Sequence, residues 1–582
     1  MCFPAGEEWR GESVLQKLAT VVAAPPVVIR LGEGRIIASW PSVLQSNFDQ
    51  ERQIVWTGRI RDLPNSIGLD DAACSAGDYA TIGRHAAGLL LARGRHSGRC
   101  LYFGRLPQGG TVACSRLEPL VACVGRVTPN IQTLAGLLLA DVSDDLAATV
   151  FNEIRRVEAS QAIVLGSFGV MYANQTAFKL TPRNGSPDEL AEELRAALQR
   201  AVERSIEGVD RVAVAVSGGL DSSAVLAHAV ASARGANRQE VDALTVSFGG
   251  PGDDRPHLEE LCRALGIVPV RVSPAEASRN VTRAMNGDAA PMIWPTIGWN
   301  LTLLERARDR GARCLLTGLG GDQIFNGDPR TFAAFARSDG WHKAFASARR
   351  LQGHSGRLSL YRSARLLVAP PVVSALPVVR RMRTQRIALR RWPWAGARLR
   401  DFILERSAAP PDREWASYTS ELRLERLVRR DFMRHAELRG QLESLTGMVR
   451  TNPLMDDELL TTVASFPQHT LFFGDRQRGL FRYAMRQILP DSLRLRPDKA
   501  RMEPGIAEMV GQSDLNALRS LAQMKRLADL GLVEPKAYRR HFETVLFDGG
   551  GHPDWLVIWP ALAVEAFLRS SWPDHGKGQH GQ

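Results

Sequence analysis

One seven-residue stretch carries side chains that fit phosphate chemistry: Ser-Gly-Gly-Leu-Asp-Ser-Ser at residues 217–223. It follows the apolar run RVAVAV at 211–216 and opens an alanine-rich segment at 222–233, so the pattern predicts strand, loop and helix. Two glycines let the backbone turn tightly, and N–H groups at a helix N-terminus attract phosphate. The carboxylate of Asp221 would repel phosphate oxygens unless a cation lay between them. The stretch therefore predicts a polyphosphate site that uses Mg²⁺.

The same stretch differs from the GxxxxGK(S/T) loop, which carries its own lysine and holds the β- and γ-phosphates. It resembles the PP-loop of the ATP pyrophosphatases, which cut ATP between the α- and β-phosphates and leave AMP on the substrate. The resemblance implies ATP and Mg²⁺ as cofactors. The plainer alternative is an ordinary glycine-rich turn between a strand and a helix.

The composition is that of a globular protein: the 582 residues are 44% hydrophobic and 23% charged, which suits two or three domains. The net charge of +12 comes almost wholly from arginine, since only seven lysines occur. It indicates either an anionic partner or a solvated arginine-rich surface. We expect a cytoplasmic protein without a membrane span, because no long apolar run or signal-peptide pattern occurs. The seven cysteines lack zinc-site spacing and are expected to be reduced.

Short apolar runs separated by turns predict a mostly β domain over residues 1–180. In its last part, Asn152 to Arg156 followed by AIVLGSFGVMYAN at 162–174 resembles a closing hairpin. Next, Ser186, Pro187 and Glu189 form a capping-box start for a helix that runs to about Ile206. The other predicted strands of this domain are at 27–30, 35–40, 87–92, 101–103, 111–114 and 162–165.

Strand-length apolar runs then alternate with helical stretches, which predicts a doubly wound parallel sheet. In such sheets ligands bind beyond the carboxyl ends of the strands, where residues 217–223 lie. Beyond about residue 328 the pattern is helical and rich in arginine. The predicted strands are at 211–216, 243–248, 268–272 and 313–317, and helices at 258–265 and 301–310 separate them.

Three more motifs follow: TGLGGDQIFNG at 317–327, NPLMD at 452–456 and LPDSLRLRPDK at 489–499. The order and spacing of all four motifs resemble the synthetase domain of the asparagine synthetase B superfamily. The resemblance implies an α/β protein with two parts. One is an N-terminal β-rich class II amidotransferase-like (Ntn) domain. The other is a C-terminal doubly wound, parallel-sheet ATP pyrophosphatase (PP-loop) domain at 188–582 with helical insertions.

The resemblance also implies roles for individual residues. A carboxylate that attacks the α-phosphorus of ATP must overcome repulsion between anions, so cations and backbone donors are needed around the departing pyrophosphate. Asp221 and Asp322 would hold Mg²⁺, and Lys499 would be catalytic, offsetting negative charge in both transition states. For Lys499 the alternative is a surface lysine in a loop. The implied ATP-binding residues are Val216, Ser217, Gly218, Gly219, Asp221, Ser222, Phe248, Thr317 and Gly318.

Asp456 and Asp457 have the plainer interpretation of helix capping.

Departures from the family pattern bear on the substrate. Glutamine-dependent members begin with Cys-Gly after methionine removal and carry Asn-Gly-Glu, whereas here Phe3 and Pro4 follow Cys2 and Asn-Gly-Glu is missing from the first domain. We interpret residues 1–180 as a degenerate glutamine amidotransferase-like domain. Cys2 as a glutaminase nucleophile stays open.

Leu319 is the second departure from the family pattern. At this point the asparagine synthetases carry G-E-G and the β-lactam synthetases G-Y-G, whereas this chain has G-L-G. With an arginine-rich helical insertion at about 349–439, the chain resembles the lasso peptide cyclases. These activate an Asp or Glu side chain of a precursor peptide, which the peptide's own N-terminal amine attacks to close a macrolactam. The implied partners are the precursor peptide, a leader peptidase and a leader-recognition protein, without nucleic acid.

Two other functions remain open at this point. The first is a glutamine-hydrolysing asparagine synthase, indicated by Cys2 and the four motifs. The second is a non-catalytic nucleotide- or nucleic-acid-binding protein that uses the net charge. Inside the arginine-rich insertion, Arg380, Arg381, Arg383, Arg390 and Arg391 either solvate a helical surface or form a basic wall that receives the peptide.

Overall fold

The computed structural model describes much of the chain. Cys2, Phe248 and Lys499 lie outside the described residues, as do Arg380, Arg381 and Arg383. The described residues are 27–30, 36–39, 46–49, 54–60, 77–94, 97–107, 109–139, 145–166, 169–175, 179–236, 240–247, 254–285, 290–327, 329–351, 382, 385–387, 389–408, 419–496, 502–547 and 554–572.

The N-terminal part is built mostly from strands, as the sequence predicted, and the structure shows that they pair antiparallel. Six strands form one sheet in the order β11-β10-β6-β5-β4-β3, three form a second in the order β8-β7-β9, and β1 pairs with β2. The predicted hairpin is confirmed as β10 and β11. The strands are β1 (Val27–Arg30), β2 (Ile36–Ser39), β3 (Ser46–Asp49), β4 (Ile54–Ile60), β5 (Gly77–His85), β6 (Gly88–Arg93), β7 (Tyr102–Arg105), β8 (Thr111–Cys114), β9 (Ile154–Arg156), β10 (Gln161–Gly166) and β11 (Gly169–Gln175).

Two adjacent inner strands of the six-stranded sheet, β6 and β10, bury both faces. Leu91 pairs with Ile163, and these side chains share one apolar cluster that also contacts Phe103 of the three-stranded sheet. Leu90 pairs with Val164 and points to the opposite face, where both are 0% exposed. This explains why these strands read as continuous apolar runs instead of alternating polar and apolar residues.

A parallel sheet forms the centre of the second part. Its order is β14-β13-β12-β15-β16, and every neighbouring pair is parallel. Four strands match predicted ones, whereas β16 was missed because three residues, Val-Arg-Thr, carry no apolar pattern. The strand order changes direction between β12 and β15, which is where such sheets bind ligands. The strands are β12 (Arg211–Ala215), β13 (Glu240–Val246), β14 (Val270–Val272), β15 (Cys314–Thr317) and β16 (Val449–Thr451).

Helices surround both parts. The predicted capping box is confirmed at the start of α3, where the backbone N–H of Glu189 donates to Ser186 Oγ and Glu189 accepts from the backbone N–H of Ser186. None of the helices in the described part of the chain is long and apolar enough to cross a membrane. The first eleven are α1 (Leu117–Val124), α2 (Ile131–Leu138), α3 (Pro187–Ile206), α4 (Leu220–Ala236), α5 (Arg255–Leu265), α6 (Pro274–Met285), α7 (Ile297–Asp309), α8 (Gly321–Phe325), α9 (Pro329–Asp339), α10 (Trp341–Leu351) and α11 (Ala397–Ala408).

The chain beyond these helices is also helical, and its last helix packs on α2 of the N-terminal part. A π-helical turn at Leu427–Asp431 separates α12 from α13, and 3-10 turns lie at Pro453–Met455 and Gln468–Asp475. The helices are α12 (Ser420–Arg426), α13 (Phe432–Thr446), α14 (Asp457–Ser465), α15 (Gly479–Ala484), α16 (Asp491–Arg494), α17 (Glu503–Gly511), α18 (Leu515–Leu521), α19 (Lys525–Asp529), α20 (Pro535–Phe547) and α21 (Trp555–Ser571).

The arginine-rich insertion contains side chains of two kinds. Arg390 and Arg391 are exposed, which fits both a solvated surface and a basic wall. Arg423 is instead buried and donates to backbone carbonyls of the 317–327 motif, including that of Asn326 at 3.2 Å. Arg439 is buried as well. These two arginines hold the fold together, a role that their position in a basic segment did not indicate.

Arg439 joins the two parts of the protein through a buried ionic network. Its Nη1 donates to Asp78 Oδ2 of β5 at 2.7 Å, and its Nε donates to Glu443 Oε1 at 3.0 Å. Arg99 Nη1 donates to the other oxygen of Glu443 at 2.8 Å. Burial opposes ionisation of Asp78, but its side chain is 37% exposed and Arg439 and Arg99 lower its pKa to about 2.

We predict that Arg439→Met destabilises the protein by about 3 kcal/mol, because it leaves Arg99 alone to neutralise two carboxylates, Asp78 and Glu443. Thermal unfolding followed by circular dichroism measures the effect. Arg155→Met is the matched control, since its ion pair with Asp145 is 50% exposed on each side and should contribute little. Equal melting temperatures for Arg439→Met and Arg155→Met would contradict the network's importance.

The pH dependence has a defined direction. Because the pKa of Asp78 is lower in the folded protein than its ordinary value, its contribution is present above about pH 4 and is lost as the pH falls through about 2.

Candidate active site

The predicted phosphate loop has the tight geometry that its glycines require. Gly218 has a φ of +82°, and a Cβ there would lie 2.7 Å from the carbonyl oxygen of Asp254. The hydroxyls of Ser217 and Ser222 lie 3.3 Å apart, and each accepts a backbone N–H of the loop at 3.2 Å, from Gly219 and Ser217 respectively. Val216 is buried in the apolar core. The loop is thus braced by its own side chains at the end of β12.

The 317–327 motif lies directly against this loop. A Cβ on Gly318 would be 2.5 Å from the backbone nitrogen of Ser222, and a Cβ on Gly321 would overlap the carboxyl carbon of Asp221. Gly320 has a φ of +105° and approaches Met455 of the NPLMD motif. Three glycines therefore let three motifs meet at one edge of the sheet. Adjacent parallel strands explain the meeting, since their carboxyl ends lie side by side.

Asn452 of the NPLMD motif completes this corner. Thr317 Oγ1 donates to Asn452 Oδ1 at 2.6 Å and accepts from the backbone N–H of Leu319 at 3.2 Å. Both Thr317 and Asn452 are buried. The Thr317 hydroxyl thus connects the ends of β15 and β16. Leu319 packs partly against the apolar core, as its side chain requires.

The capping interpretation of Asp456 is confirmed. Its carboxylate accepts from the backbone N–H groups of Glu458 at 3.0 Å and Leu459 at 3.2 Å, at the start of α14. It also forms a two-point ion pair with Arg204, with its oxygens 3.0 Å from Nε and 2.6 Å from Nη2. Asp457 is the first residue of α14. Asp456 therefore has a structural role next to the site.

The structure brings Asp221 and Asp322 together around one cation, Arg478. Its Nη1 contacts both carboxylate oxygens of Asp221, at 2.9 and 2.8 Å, and its Nη2 donates to Asp322 Oδ1. Its Nε donates to Asn326 Oδ1 at 3.1 Å. The side chains of Arg478 and Asp221 are only 10% and 13% exposed. Sequence reasoning missed Arg478, because one arginine among many carries no distinguishing pattern.

Asp221 and Asp322 fit Mg²⁺ as a ligand set. Two carboxylates that share one cation position are what Mg²⁺ takes when substrate phosphates supply other ligands. Among the described residues, no group of three or more His, Cys, Asp or Glu side chains forms a metal site of its own. The pair therefore suits a metal that arrives with a polyphosphate.

Further arginines give this edge excess positive charge. Arg482 Nε donates to the backbone oxygen of Gln477 at 3.1 Å, and Arg476 Nη1 donates to that of Leu495 at 2.6 Å. Burial lowers the pKa of Arg482, and the neighbouring guanidinium groups of Arg478 and Arg476 lower it further. Such a repulsive cluster of cations favours the binding of a polyanion.

Arg496 attaches the last motif to the phosphate loop. It forms an ion pair with Asp254, the residue packed against Gly218, and both side chains are 9% exposed. The segment that leads to Lys499 therefore begins beside the loop. The catalytic role of Lys499 stays a prediction.

We predict that Gly321→Ala weakens MgATP binding at least about tenfold, because its Cβ would displace the Asp221 carboxylate. Isothermal calorimetry measures the affinity. Gly235→Ala in α4 is the matched control, since a Cβ there has open space and should leave the affinity unchanged. Wild-type affinity in Gly321→Ala would show that the close approach of these two motifs is not needed for nucleotide binding.

Curated proteins give no match. Among solved structures, the U34-tRNA thiolase NcsA from Methanococcus maripaludis with its 4Fe-4S cluster is similar over 33% of this chain and 69% of its own. The identity is 12% and the TM-score 0.19, which is too low to support an argument.

The asparagine synthase family model matches residues 193–569, more than half of the chain, and this range contains all four motifs. The chain therefore belongs to the asparagine synthase family, which points to an ATP-dependent amide ligase.

Proposed function

We propose that this ligase adenylates an Asp or Glu side chain of a precursor peptide and closes it with the peptide's N-terminal amine to a macrolactam. The observation that carries the adenylation step is the convergence of Asp221 and Asp322 on one cation position beside the phosphate loop. The sequence departures at Leu319 and after Cys2 support the peptide substrate.

The reaction has two balanced steps. A carboxylate oxygen of the peptide attacks the α-phosphorus of ATP, and the bond to the β-phosphate oxygen breaks, releasing pyrophosphate. The amine nitrogen then attacks the acyl carbon, the bond to AMP breaks, and the amine loses a proton. AMP and pyrophosphate are the expected products, one of each for every amide formed.

Residues of this chain would mainly neutralise the negative charge of the phosphates and hold the reacting groups in position. The loop from Ser217 to Ser222 would hold the phosphates, and Arg482 adds positive charge beside them. Asp221 and Asp322 would hold Mg²⁺, which when bound neutralises charge that develops on the pyrophosphate. Lys499 would stabilise negative charge in both steps. Leu319 offers an apolar surface where other family members have a polar one.

The second candidate function is a glutamine-hydrolysing asparagine synthase, which family membership itself favours. Two experiments separate the candidates. Release of glutamate from glutamine that is lost in Cys2→Ala would favour the synthase. ATP–pyrophosphate exchange that depends on an Asp- or Glu-containing peptide would favour the macrolactam ligase, whereas exchange with free aspartate would not. A protein that only binds nucleotide would show no exchange.

We predict that Asp221→Ala and Asp322→Ala each lower peptide-dependent ATP–pyrophosphate exchange at least about 100-fold, because the leaving group loses its neutralising cation. The matched control is Asp456→Ala, which removes a helix cap and the ion pair with Arg204 from the neighbouring motif and should lower stability by about 2 kcal/mol without abolishing exchange. Near wild-type exchange in either Asp221→Ala or Asp322→Ala would overturn the metal assignment.

We predict that Lys499→Ala lowers kcat severely and leaves the nucleotide affinity within a few-fold, since its charge acts on the transition state. Lys499→Arg should rescue poorly, because a planar guanidinium does not replace a compact ammonium. Single-turnover kinetics and calorimetry separate the two effects. An equal loss of kcat and affinity would move Lys499 to a binding role.

A further inference from the structure

Arg478 stands at the point that a divalent metal would share with Asp221 and Asp322. The guanidinium contacts both oxygens of Asp221 and one of Asp322, and its Nε is bonded to Asn326. The three guanidinium nitrogens thus contact four oxygens on three side chains. A ligand for the same carboxylate oxygens must therefore displace it.

The backbone holds Arg478 in this position at a cost. Arg478 has a φ of +60°, and Asp475 shortly before it has a φ of +56°, both in the left-handed region that side chains disfavour. A Cβ on Gly479 would overlap the backbone of Phe473, so the turn before α15 is closed tightly. Strained backbone of this kind persists where the surrounding structure fixes it, and it is enriched at functional sites.

We propose that Arg478 is the resident cation of this site and makes metal binding depend on nucleotide. Without nucleotide its guanidinium neutralises Asp221 and Asp322 and excludes a divalent ion. When a metal–nucleotide complex enters, Arg478 moves from the carboxylates to phosphate oxygens, and the metal takes the carboxylates. The inference rests on the proposed function only in assigning Asp221 and Asp322 to the metal.

Electrostatics explains why the exchange needs the nucleotide. A bare divalent ion would have to displace Arg478 from Asp221 and Asp322 and then lie beside the freed guanidinium, where the two cations repel each other. A polyphosphate brings new acceptor oxygens, which a guanidinium can bind through two nitrogens at once. The nucleotide therefore supplies new acceptors for the freed guanidinium, which the metal alone does not.

Arg482 differs from Arg478 in a way that provides a matched control. Its side chain donates to backbone oxygens, those of Gln477 and Arg494, and it lies near Asp221 without bridging the two aspartates. Removing it changes the local charge by the same amount but leaves the carboxylates with Arg478. An effect of charge alone would change the Mn²⁺ affinity of both variants. Competition between the metal and the bridging guanidinium would change the affinity of the Arg478 variant only.

The test uses Mn²⁺ as the probe, with the full chain and no substrate peptide, and electron paramagnetic resonance measures free and bound ion. Without nucleotide, Arg478→Gln should bind Mn²⁺ at least about tenfold more tightly than the wild type, whereas Arg482→Gln should change affinity only about twofold. Adding α,β-methylene-ATP should raise the affinity of the wild type at least about tenfold and that of Arg478→Gln much less.

Several outcomes would overturn the proposal. The first is an equal Mn²⁺ affinity of the wild type and Arg478→Gln, and the second is an equal increase in Mn²⁺ affinity in Arg478→Gln and Arg482→Gln. The third is that α,β-methylene-ATP leaves the Mn²⁺ affinity of the wild type unchanged. If Arg478→Gln does not fold, Arg478→Lys replaces it, because one ammonium cannot span both carboxylates in the same way. It should then show tighter Mn²⁺ binding than the wild type, and wild-type affinity would count against the proposal.

Failure of the proposed function can be told apart from failure of this inference. Asp322→Asn in the Arg478→Gln background should abolish the added Mn²⁺ binding whether or not the protein catalyses exchange. Tight Mn²⁺ binding that persists in this double variant would place the ion elsewhere and overturn the inference. Absent peptide-dependent exchange together with the expected Mn²⁺ results would leave the inference standing and reject the proposed reaction.

Discussion

Two carboxylates held close together in a partly buried corner need a positive charge between them. Asp221 follows β12 and Asp322 follows β15, and the pairing of these parallel strands brings the two side chains to one point. Arg478 supplies the charge in the structure described here. Without a cation, the two carboxylates would repel each other and Asp221, which is 13% exposed, would also be disfavoured by burial, so the contact between the two loops would weaken. The phosphate loop, the 317–327 motif and the turn before α15 depend on this one interaction.

The same corner shows why small residues recur in its motifs. Gly318 and Gly321 approach the phosphate loop so closely that a methyl group would meet the backbone of Ser222 or the carboxylate of Asp221. Side-chain hydrogen bonds such as that between Thr317 and Asn452 then fix the third loop. The site is therefore assembled from backbone contacts and buried polar pairs, which leaves little freedom for substitution.

A second arrangement of shared cations joins the N-terminal strands to the synthetase part. Arg439 lies between Asp78 and Glu443, and Glu443 also accepts from the backbone N–H of Arg450 in β16. The interface is thus connected to the fifth strand of the parallel sheet and, through Asn452, to the site. Arg439 at this interface and Arg478 at the site each bind two carboxylates from different parts of the chain. Neither role is visible in the sequence, where each is one arginine among many.

The sequence alone indicated the chemistry of the loop and many of the elements, although it did not indicate the strands β3, β4 and β5. Capping at Ser186, the apolar runs and the glycine-rich motifs are local patterns. The elements that they predict are confirmed because neighbouring residues are enough to define them. Tertiary structure decided what depends on distant residues: the short strand β16, the capping and pairing of Asp456 with Arg204, and above all Arg478. A lone arginine has no local signal for the carboxylate it will meet, because Arg478 and Asp221 lie 257 positions apart and only the folded sheet brings them together.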